Sequence, residues 1–196
     1  MILESPTLPI LETPRLFLRP MNADDASLVV SWRNSLPVAS MSRQSTSDSF
    51  SIESHLEWFA RTRSSRIDYI IEIRDERRPI GGLSFAWHTS THGERCVELG
   101  KYIGDQETLG KGYATEAARR WLEYAFDTLN LECIFALTRR INTPNIRINI
   151  KLGFSIEPFL ENFAWASDEW VFMRLNRADW MAKNTKFDVL SKKKQR

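Results

Sequence analysis

A strand-like run, Val97–Ile103, is followed by a turn that contains glycine and by a helical hydrophobic period over Tyr113–Leu129. The first backbone N–H groups of a helix have no acceptor within the helix, and the helix dipole adds partial positive charge there. Gly110 and Gly112 remove side chains that would keep a pyrophosphate away from the backbone, and Lys111 adds a nearby cation. The sequence therefore predicts an anion-binding turn between a strand and a helix.

The rest of the chain alternates strand-like and helical patterns around this turn. The predicted order is β, α, α, β, β, β, α, β, α, β, β, which indicates a mixed α/β (α+β) architecture. No internal repeat or linker is visible, so we expect one domain over residues 1–183 and a basic, flexible tail over residues 184–196. The predicted strands are 15–21, 69–73, 80–87, 97–103, 134–137, 155–163 and 169–175, and the predicted helices begin after Asn22 and Ser51 and cover 113–129 and 146–152.

Charge and apolar content argue against several classes of protein. The net charge of +2 is too small to indicate a nucleic-acid or membrane partner. No apolar run approaches the roughly 20 residues that span a bilayer, and no signal peptide is recognisable, so we expect a cytoplasmic protein. Cys96 and Cys133 lie in separate apolar segments without metal-ligand spacing. We interpret both as buried thiols in a reducing compartment, and we expect no metal site.

Two common phosphate-binding motifs do not fit the turn. A P-loop needs Ser or Thr directly after its Gly-Lys pair, whereas Gly112 follows Lys111 here. The dinucleotide-binding fingerprint needs a third glycine, and Thr115 occupies that position. A plain helix start without a ligand would also explain a glycine turn, so the surrounding segments have to decide.

The run from Leu109 to Ala117 closely resembles the acetyl-CoA-binding segment of the GNAT superfamily of N-acetyltransferases. The resemblance is greatest to its branch of ribosomal-protein-alanine-type acetyltransferases, and it covers roughly residues 11 to 180. Three further segments match that branch in the expected order: Thr13–Pro20 its first strand, Val97–Ile103 its fourth strand, and Asn142–Asn145 with Lys151–Phe154 its late helix and closing Gly-Phe pair.

The resemblance implies a GNAT fold, with a mixed central sheet of about six to seven strands and about four to five helices on its faces. It implies acetyl-CoA as a cosubstrate, with pyrophosphate held by backbone amides and the pantetheine arm paired with a strand edge. Asn142 would approach the cosubstrate from the other side, or would only cap a helix. The implied cofactor-binding residues are Tyr102, Ile103, Leu109, Gly110, Lys111, Gly112, Tyr113, Ala114, Thr115 and Asn142.

Glu98 is the predicted general base, because only a neutral amine is nucleophilic and the branch carries a glutamate on this strand. A structural carboxylate is the alternative for Glu98, and His55 and His88 are weaker candidates for the base. Asn149 occupies the position at which many members carry the tyrosine that protonates the departing CoA thiolate. Tyr102, Ser84 or water would then supply that proton, or the thiolate would leave unprotonated.

The predicted acceptor is a primary amine on a small molecule or peptide. Trp32, Arg33 and Asn34 resemble the acceptor-binding residues of acetyltransferases that act on nucleotide-linked amino sugars, although Trp32 could simply fill the core. The resemblance to the ribosomal-protein branch points instead to a protein N-terminal α-amine, and polyamines are a third class. We expect a monomer or homodimer. An acyl-CoA-binding regulatory module without turnover is the non-enzymatic alternative.

Overall fold

The computed structural model describes residues 8–43, 49–87, 96–158 and 168–183. The strands are β1 (Leu11–Glu12), β2 (Leu16–Pro20), β3 (Arg66–Ile73), β4 (Arg78–Trp87), β5 (Cys96–Ile103), β6 (Cys133–Arg139), β7 (Ser155–Glu157) and β8 (Trp170–Asn176). The helices are α1 (Ala26–Asn34), α2 (Leu36–Ala39), α3 (Ile52–Thr62), α4 (Tyr113–Glu123) and α5 (Thr143–Leu152), and residues 177–183 are also helical. Short 3-10 turns at Ala23–Asp25 and Gln106–Thr108 and a π-helical turn at Tyr124–Thr128 complete the elements.

The strands form one 8-stranded sheet in the order β1-β2-β3-β4-β5-β6-β8-β7. Every neighbouring pair is antiparallel except β5 and β6, which are parallel and are connected through α4. The predicted mixed α/β class is therefore confirmed, with slightly more strands than expected. The short strand β1 and the one-turn helix α2 were not predicted, because two to four residues carry too little periodicity to detect.

Several predicted features fall outside the described residues. These are the end of the predicted strand 155–163, His88 and the basic tail 184–196. No helix among the described residues is long and apolar enough to cross a membrane.

Local signals set the ends of the helices. Asn22 forms a capping box with Asp25, in which the Asn22 side chain accepts from the Asp24 amide at 2.8 Å and the Asp25 carboxylate accepts from the Asn22 amide at 2.9 Å. Ser51 caps α3 in the same way through the Ser54 amide at 3.0 Å. These two helix starts agree with the predicted ones, because capping depends on residues that are adjacent in sequence.

The sheet separates two apolar clusters. Tyr69 and Ile71 of β3 face the larger cluster, in which Trp121 of α4 lies 4.5 Å from the Tyr69 ring. Ile70, between them, faces a smaller cluster that contains Trp32 of α1. Because successive strand residues point to opposite faces, α4 packs on one face of the sheet and α1 on the other.

The two cysteines are bonded to each other. Cys96 of β5 lies directly opposite Cys133 of β6, their Cα atoms are 4.7 Å apart, and the sulfurs form a disulfide. The expectation of two buried free thiols is therefore wrong. The residues are 37 positions apart, and only the pairing of β5 with β6 makes them neighbours.

Candidate active site

The parallel strands β5 and β6 pair over only part of their length. Their register runs from Cys96 opposite Cys133 to Glu98 opposite Phe135. Beyond that point β5 pairs with β4 alone and β6 with β8 alone in the described ladders, so the two strands part. A cavity of about 490 Å³ lies at this opening, and residues of β4, β5, α3, α4 and α5 line it.

The free edge of β5 carries two of the predicted cofactor-binding residues. Tyr102 and Ile103 pair with Gly82 and Gly81 of β4, and both line the cavity. A Cβ atom on Gly82 would lie 2.9 Å from the Tyr102 ring, so the close approach of this ring to the β4 backbone requires glycine. The unpaired edge beside these residues is the kind of surface that accepts an extended chain.

The glycine turn before α4 presents its backbone amides. Gly110 and Gly112 have φ angles of +76° and +82°, a left-handed conformation that glycine adopts without strain. Among the described residues, the N–H groups from Gly110 to Ala114 have no hydrogen-bond acceptor, whereas the Thr115 amide donates to the Gly112 carbonyl at 3.2 Å. Leu109 and Lys111 are exposed at the same turn. The turn therefore has the amides and the local charge that an anion site needs.

An ion pair that sequence reasoning missed fastens this turn to the start of β2. Glu116 accepts a hydrogen bond from the Thr13 hydroxyl at 2.6 Å and pairs with the Arg15 guanidinium at 2.6 Å. Arg15 also donates to the Lys111 carbonyl at 3.0 Å and lies 4.6 Å from the centre of the Tyr113 ring. Burial alone would raise the pKa of Glu116, but the hydrogen bonds from Thr13 and Arg15 outweigh it and lower that pKa.

Glu98 lies on β5 where the strands begin to part. It is 6% exposed, lines the cavity, and forms an ion pair with Arg43. Arg43 is the last described residue before the gap at residues 44–48. A buried carboxylate at the edge of a cleft suits a general base, and the ion pair also suits a structural carboxylate, so both interpretations of Glu98 remain open.

The residues predicted to bind the acceptor separate in the structure. Arg33 lines the cavity, 4.0 Å from the centre of the Phe50 ring. Trp32 packs in the smaller cluster, edge-to-face with Tyr102 at 6.1 Å between ring centres. Asn34 exchanges two hydrogen bonds with the Phe50 backbone, at 2.8 and 2.9 Å. Of the three, only Arg33 reaches the cavity wall.

Two further residues, Asp68 and His55, line the cavity on this side. Asp68 of β3 is paired with Arg66 at 2.9 Å, and burial raises the pKa of Asp68 against the opposing effect of Arg66. His55 of α3 is 2% exposed, and its Nδ1 atom has no hydrogen-bond partner among the described residues. Burial, with a smaller effect of Arg33, lowers the pKa of His55.

The late helix supplies the wall opposite the glycine turn. The Asn142 side chain accepts from the Asn145 amide at 3.2 Å, so Asn142 caps α5, and it also lines the cavity. Asn149 is fully buried and accepts a hydrogen bond from the Lys101 ammonium. Its amide nitrogen lies 3.5 Å from the Met173 sulfur. Sequence reasoning missed the pair of Lys101 with Asn149.

A model of the acetyltransferase (GNAT) domain matches residues 15–155. The chain belongs to the GNAT family of acetyltransferases. This confirms the family resemblance and the acyltransferase class. Among the described residues of this GNAT protein, no group of three or more His, Cys, Asp and Glu side chains could hold a metal ion.

Similar proteins match either half or most of the chain. The uncharacterised N-acetyltransferase p20 of Bacillus licheniformis is 29% identical over 180 residues, which are 85% of this chain and 96% of p20. The uncharacterised N-acetyltransferase YnaD of Bacillus subtilis is 35% identical over 98 residues, which are 50% of this chain and 55% of YnaD. A Vibrio cholerae spermidine N-acetyltransferase, solved with CoA and spermine, matches with a TM-score of 0.73 at 19% identity and covers 86% of this chain and 99% of that one. At this identity the structural match establishes the fold alone.

Proposed function

We propose that this GNAT protein transfers the acetyl group of acetyl-CoA to a primary amine by direct attack of the amine on the thioester. The observation that carries the proposal is the cleft between β5 and β6 with the glycine turn beside it. Amides from Gly110 to Ala114 have no acceptor among the described residues and could bind a pyrophosphate, and the β5 edge at Tyr102 and Ile103, unpaired in the described ladders, could pair with the pantetheine arm. The residues present therefore fit acetyl-CoA, which supplies the activated acetyl group.

Glu98 is the proposed general base in this reaction. Its carboxylate would take the proton that the attacking nitrogen must lose, either directly or through one water. Its position at the last β5–β6 pair places it where the strands begin to part, which is where the reacting atoms would meet. Its ion pair with Arg43 would hold the Glu98 side chain at this point of the cleft.

The charges of the cavity favour an acceptor that carries negative charge. Two of its cations, Arg43 and Arg66, are paired with Glu98 and Asp68, so its described carboxylates are already engaged by cations and would give a polycation little attraction. A nucleotide-linked amino sugar would supply phosphate oxygens for the Arg33 guanidinium, so we favour it over a polyamine, with a protein N-terminal α-amine as the other candidate. The charged wall residues are Arg33, Arg43, Arg66 and Lys101 on the cationic side and Asp68 and Glu98 on the anionic side.

Solved proteins with this fold are described with both kinds of acceptor, polyamines and nucleotide-linked sugars. Besides the Vibrio cholerae enzyme, the fold matches FdhC, described as a nucleotide-linked sugar GNAT, with a TM-score of 0.72 at 18% identity over 92% of this chain and 97% of that one. A regulatory module that binds acyl-CoA without turnover is a second candidate, because Asn149 replaces the family's usual proton donor. The presence of Glu98 in the cleft argues against it, since a binding module needs no base.

The test is CoA-thiol release from acetyl-CoA with nucleotide-linked amino sugars, N-terminal peptides and spermidine as acceptors. We expect turnover with the sugars, its loss in Glu98→Gln, and loss of acetyl-CoA binding in Gly112→Glu. Glu123→Gln, at the far end of α4 and outside the cavity wall, is the matched carboxylate control and should behave as the wild type. Acetyl-CoA binding without turnover on any acceptor would favour the regulatory module, and absence of binding would refute the proposal.

A further inference from the structure

The proposed reaction lacks an obvious proton donor for the sulfur that leaves. A carboxamide such as that of Asn149 does not give up a proton near neutral pH, so it cannot replace a tyrosine as a general acid. Tyr102 and Ser84, the side chains considered from sequence, lie opposite Gly82 and Gly100 in the β4–β5 register. This register places both on the face of the sheet that carries Glu98, the proposed base.

Lys101 lies on the other face of the same strand. It is directly opposite Leu83, a residue of the larger apolar cluster, so its side chain shares the face covered by α4 and α5. Its position is past the last β5–β6 pair, and it lines the cavity together with Ala114 of α4 and Ile148 of α5. Glu98 and Lys101 therefore approach the same opening from opposite faces of one strand.

Asn149 fixes the position of the Lys101 ammonium. The Lys101 Nζ atom donates to the Asn149 Oδ1 atom, and the Asn149 Nδ2 atom lies against the Met173 sulfur at 3.5 Å. Asn149 is fully buried, so its amide has little freedom to turn away. Asn149, which stands at the sequence position of the family tyrosine, thus holds a lysine ammonium at the cavity wall.

We propose that Lys101 is the proton donor to the departing CoA sulfur, positioned by Asn149. The proposal rests on the proposed acetyl transfer. The neutral amine attacks the thioester carbon, the C–N bond forms and the C–S bond breaks, and the sulfur takes a proton from the Lys101 ammonium. Glu98 takes a proton from the nitrogen that has been acylated. Lys101 then regains a proton from solvent and Glu98 loses one, so CoA leaves as the thiol and the amide is neutral.

The surroundings of Lys101 suit this task. Burial lowers the pKa of Lys101 from 10.5 to about 7, close to the operating pH at which a general acid is most effective. The groups that face it are Leu83 of β4, Asn149 of α5 and, behind the amide, Met173 of β8, none of which titrates in this range. No described carboxylate forms an ion pair with Lys101. The other charged residues of the cavity wall are Glu98, on the opposite face of the strand, and Arg33, Arg43, Arg66 and Asp68.

The pH dependence of turnover is the first readout. Lys101 is competent while it is protonated, so the kcat of the wild type should fall as pH rises through about 7. Lys101→Met should lower kcat by about 10²–10⁴ and abolish this alkaline limb, while acetyl-CoA affinity stays within about twofold. Lys101→Arg keeps its charge at all accessible pH values, so it should also lose the limb. Lys151→Met, at an exposed position of α5, is the matched control and should keep the wild-type profile.

A second readout does not depend on turnover. In the unliganded protein, NMR of lysine side chains should detect one ammonium that titrates near pH 7 and disappears in Lys101→Met. A kcat that rises with pH through this range, a Lys101→Met variant within about threefold of the wild type, or the absence of a lysine that titrates below about pH 9 would overturn the proposal. Failure of the acetyltransferase assignment itself differs from these outcomes, because the wild type would then turn over no amine while the low-pKa lysine was still observed.

Discussion

The glycine turn before α4 allows a quantitative test of how the site is built. Gly112 has a φ angle of +82°, and a Cβ atom at this position would come no closer than 3.5 Å to the Arg15 guanidinium. Gly112→Ala therefore creates no clash, and its cost is the left-handed backbone, about 1–2 kcal/mol. The reduced freedom of the unfolded chain offsets roughly 0.4–1 kcal/mol of this, which leaves a net destabilisation of about 1 kcal/mol. For a chain of 196 residues, Tm should fall by about 2–4 °C.

In Gly112→Ala, the loss of acetyl-CoA binding free energy should exceed the loss of folding stability. Alanine relieves its strain by leaving the left-handed region, which turns the free amides of the turn away from their present positions. We expect the dissociation constant to rise roughly tenfold, which corresponds to about 1.4 kcal/mol of lost binding free energy. Calorimetric titration and thermal unfolding measure both quantities on the same samples.

Replacing the glycines of the turn with asparagine separates the effect of backbone strain from the effect of side-chain size. Asn adopts the left-handed conformation more readily than Ala, so Gly112→Asn should keep more of both stability and affinity although it is larger. Gly110, at φ +76° with nothing within 4 Å of an added Cβ, is the matched position and should give the same order. If Ala proves as well tolerated as Asn at both positions, conformational strain does not govern this turn.

Three further predictions concern the elements that hold the site. Burial acts to raise the pKa of Glu116 from 4.5, but hydrogen bonds from residues 13–15 outweigh it, so stabilisation by Glu116 is present above pH 4.5 and is lost as pH falls through the lower folded-state pKa. Urea unfolding of Glu116→Gln from about pH 6 to 3 should show a shallower loss of stability than the wild type, and equal slopes would contradict this. Gly104→Ala should destabilise by about 1–3 kcal/mol, because the new Cβ would overlap the Trp32 ring, and combining it with Trp32→Ala should recover part of the loss in a double-mutant cycle. Trp121→Ala should cost about 3–5 kcal/mol by chemical denaturation, since the Trp121 ring is fully buried, and a loss under about 1 kcal/mol would show that the core can collapse around it.

Much of the fold could be predicted from short stretches of sequence. Asn22 and Ser51 cap helices as predicted, and the strand, glycine turn and helix around Gly112 lie where the change of periodicity indicates. The α5 helix begins at Thr143, a little before its predicted start, because the Asn142 side chain caps it there. All of these depend on contacts between residues that are near in sequence, so their patterns can be recognised without knowledge of the tertiary structure.

The pairs that complete the site join residues far apart in the chain. Glu116 meets Arg15 across 101 positions, and Asn149 meets Lys101 across 48. No periodicity links such partners, because the order of the strands in the sheet and the packing of α4 and α5 decide which side chains meet. Lys101 is the clearest example of a partner that only the fold determines. The residues around it in the sequence predict a strand, and nothing in them indicates a contact with Asn149.

The sequence by itself determined the fold class, the family and the position of the anion-binding turn, because these follow from local periodicity and a contiguous motif. Tertiary structure alone decided that Cys96 and Cys133 are bonded, that Trp32 packs in the core while Arg33 reaches the cavity, and that the Lys101 ammonium donates to Asn149. Burial and charge pairing are properties of the assembled sheet and its covering helices, and they set the chemistry of each side chain only after the chain has folded.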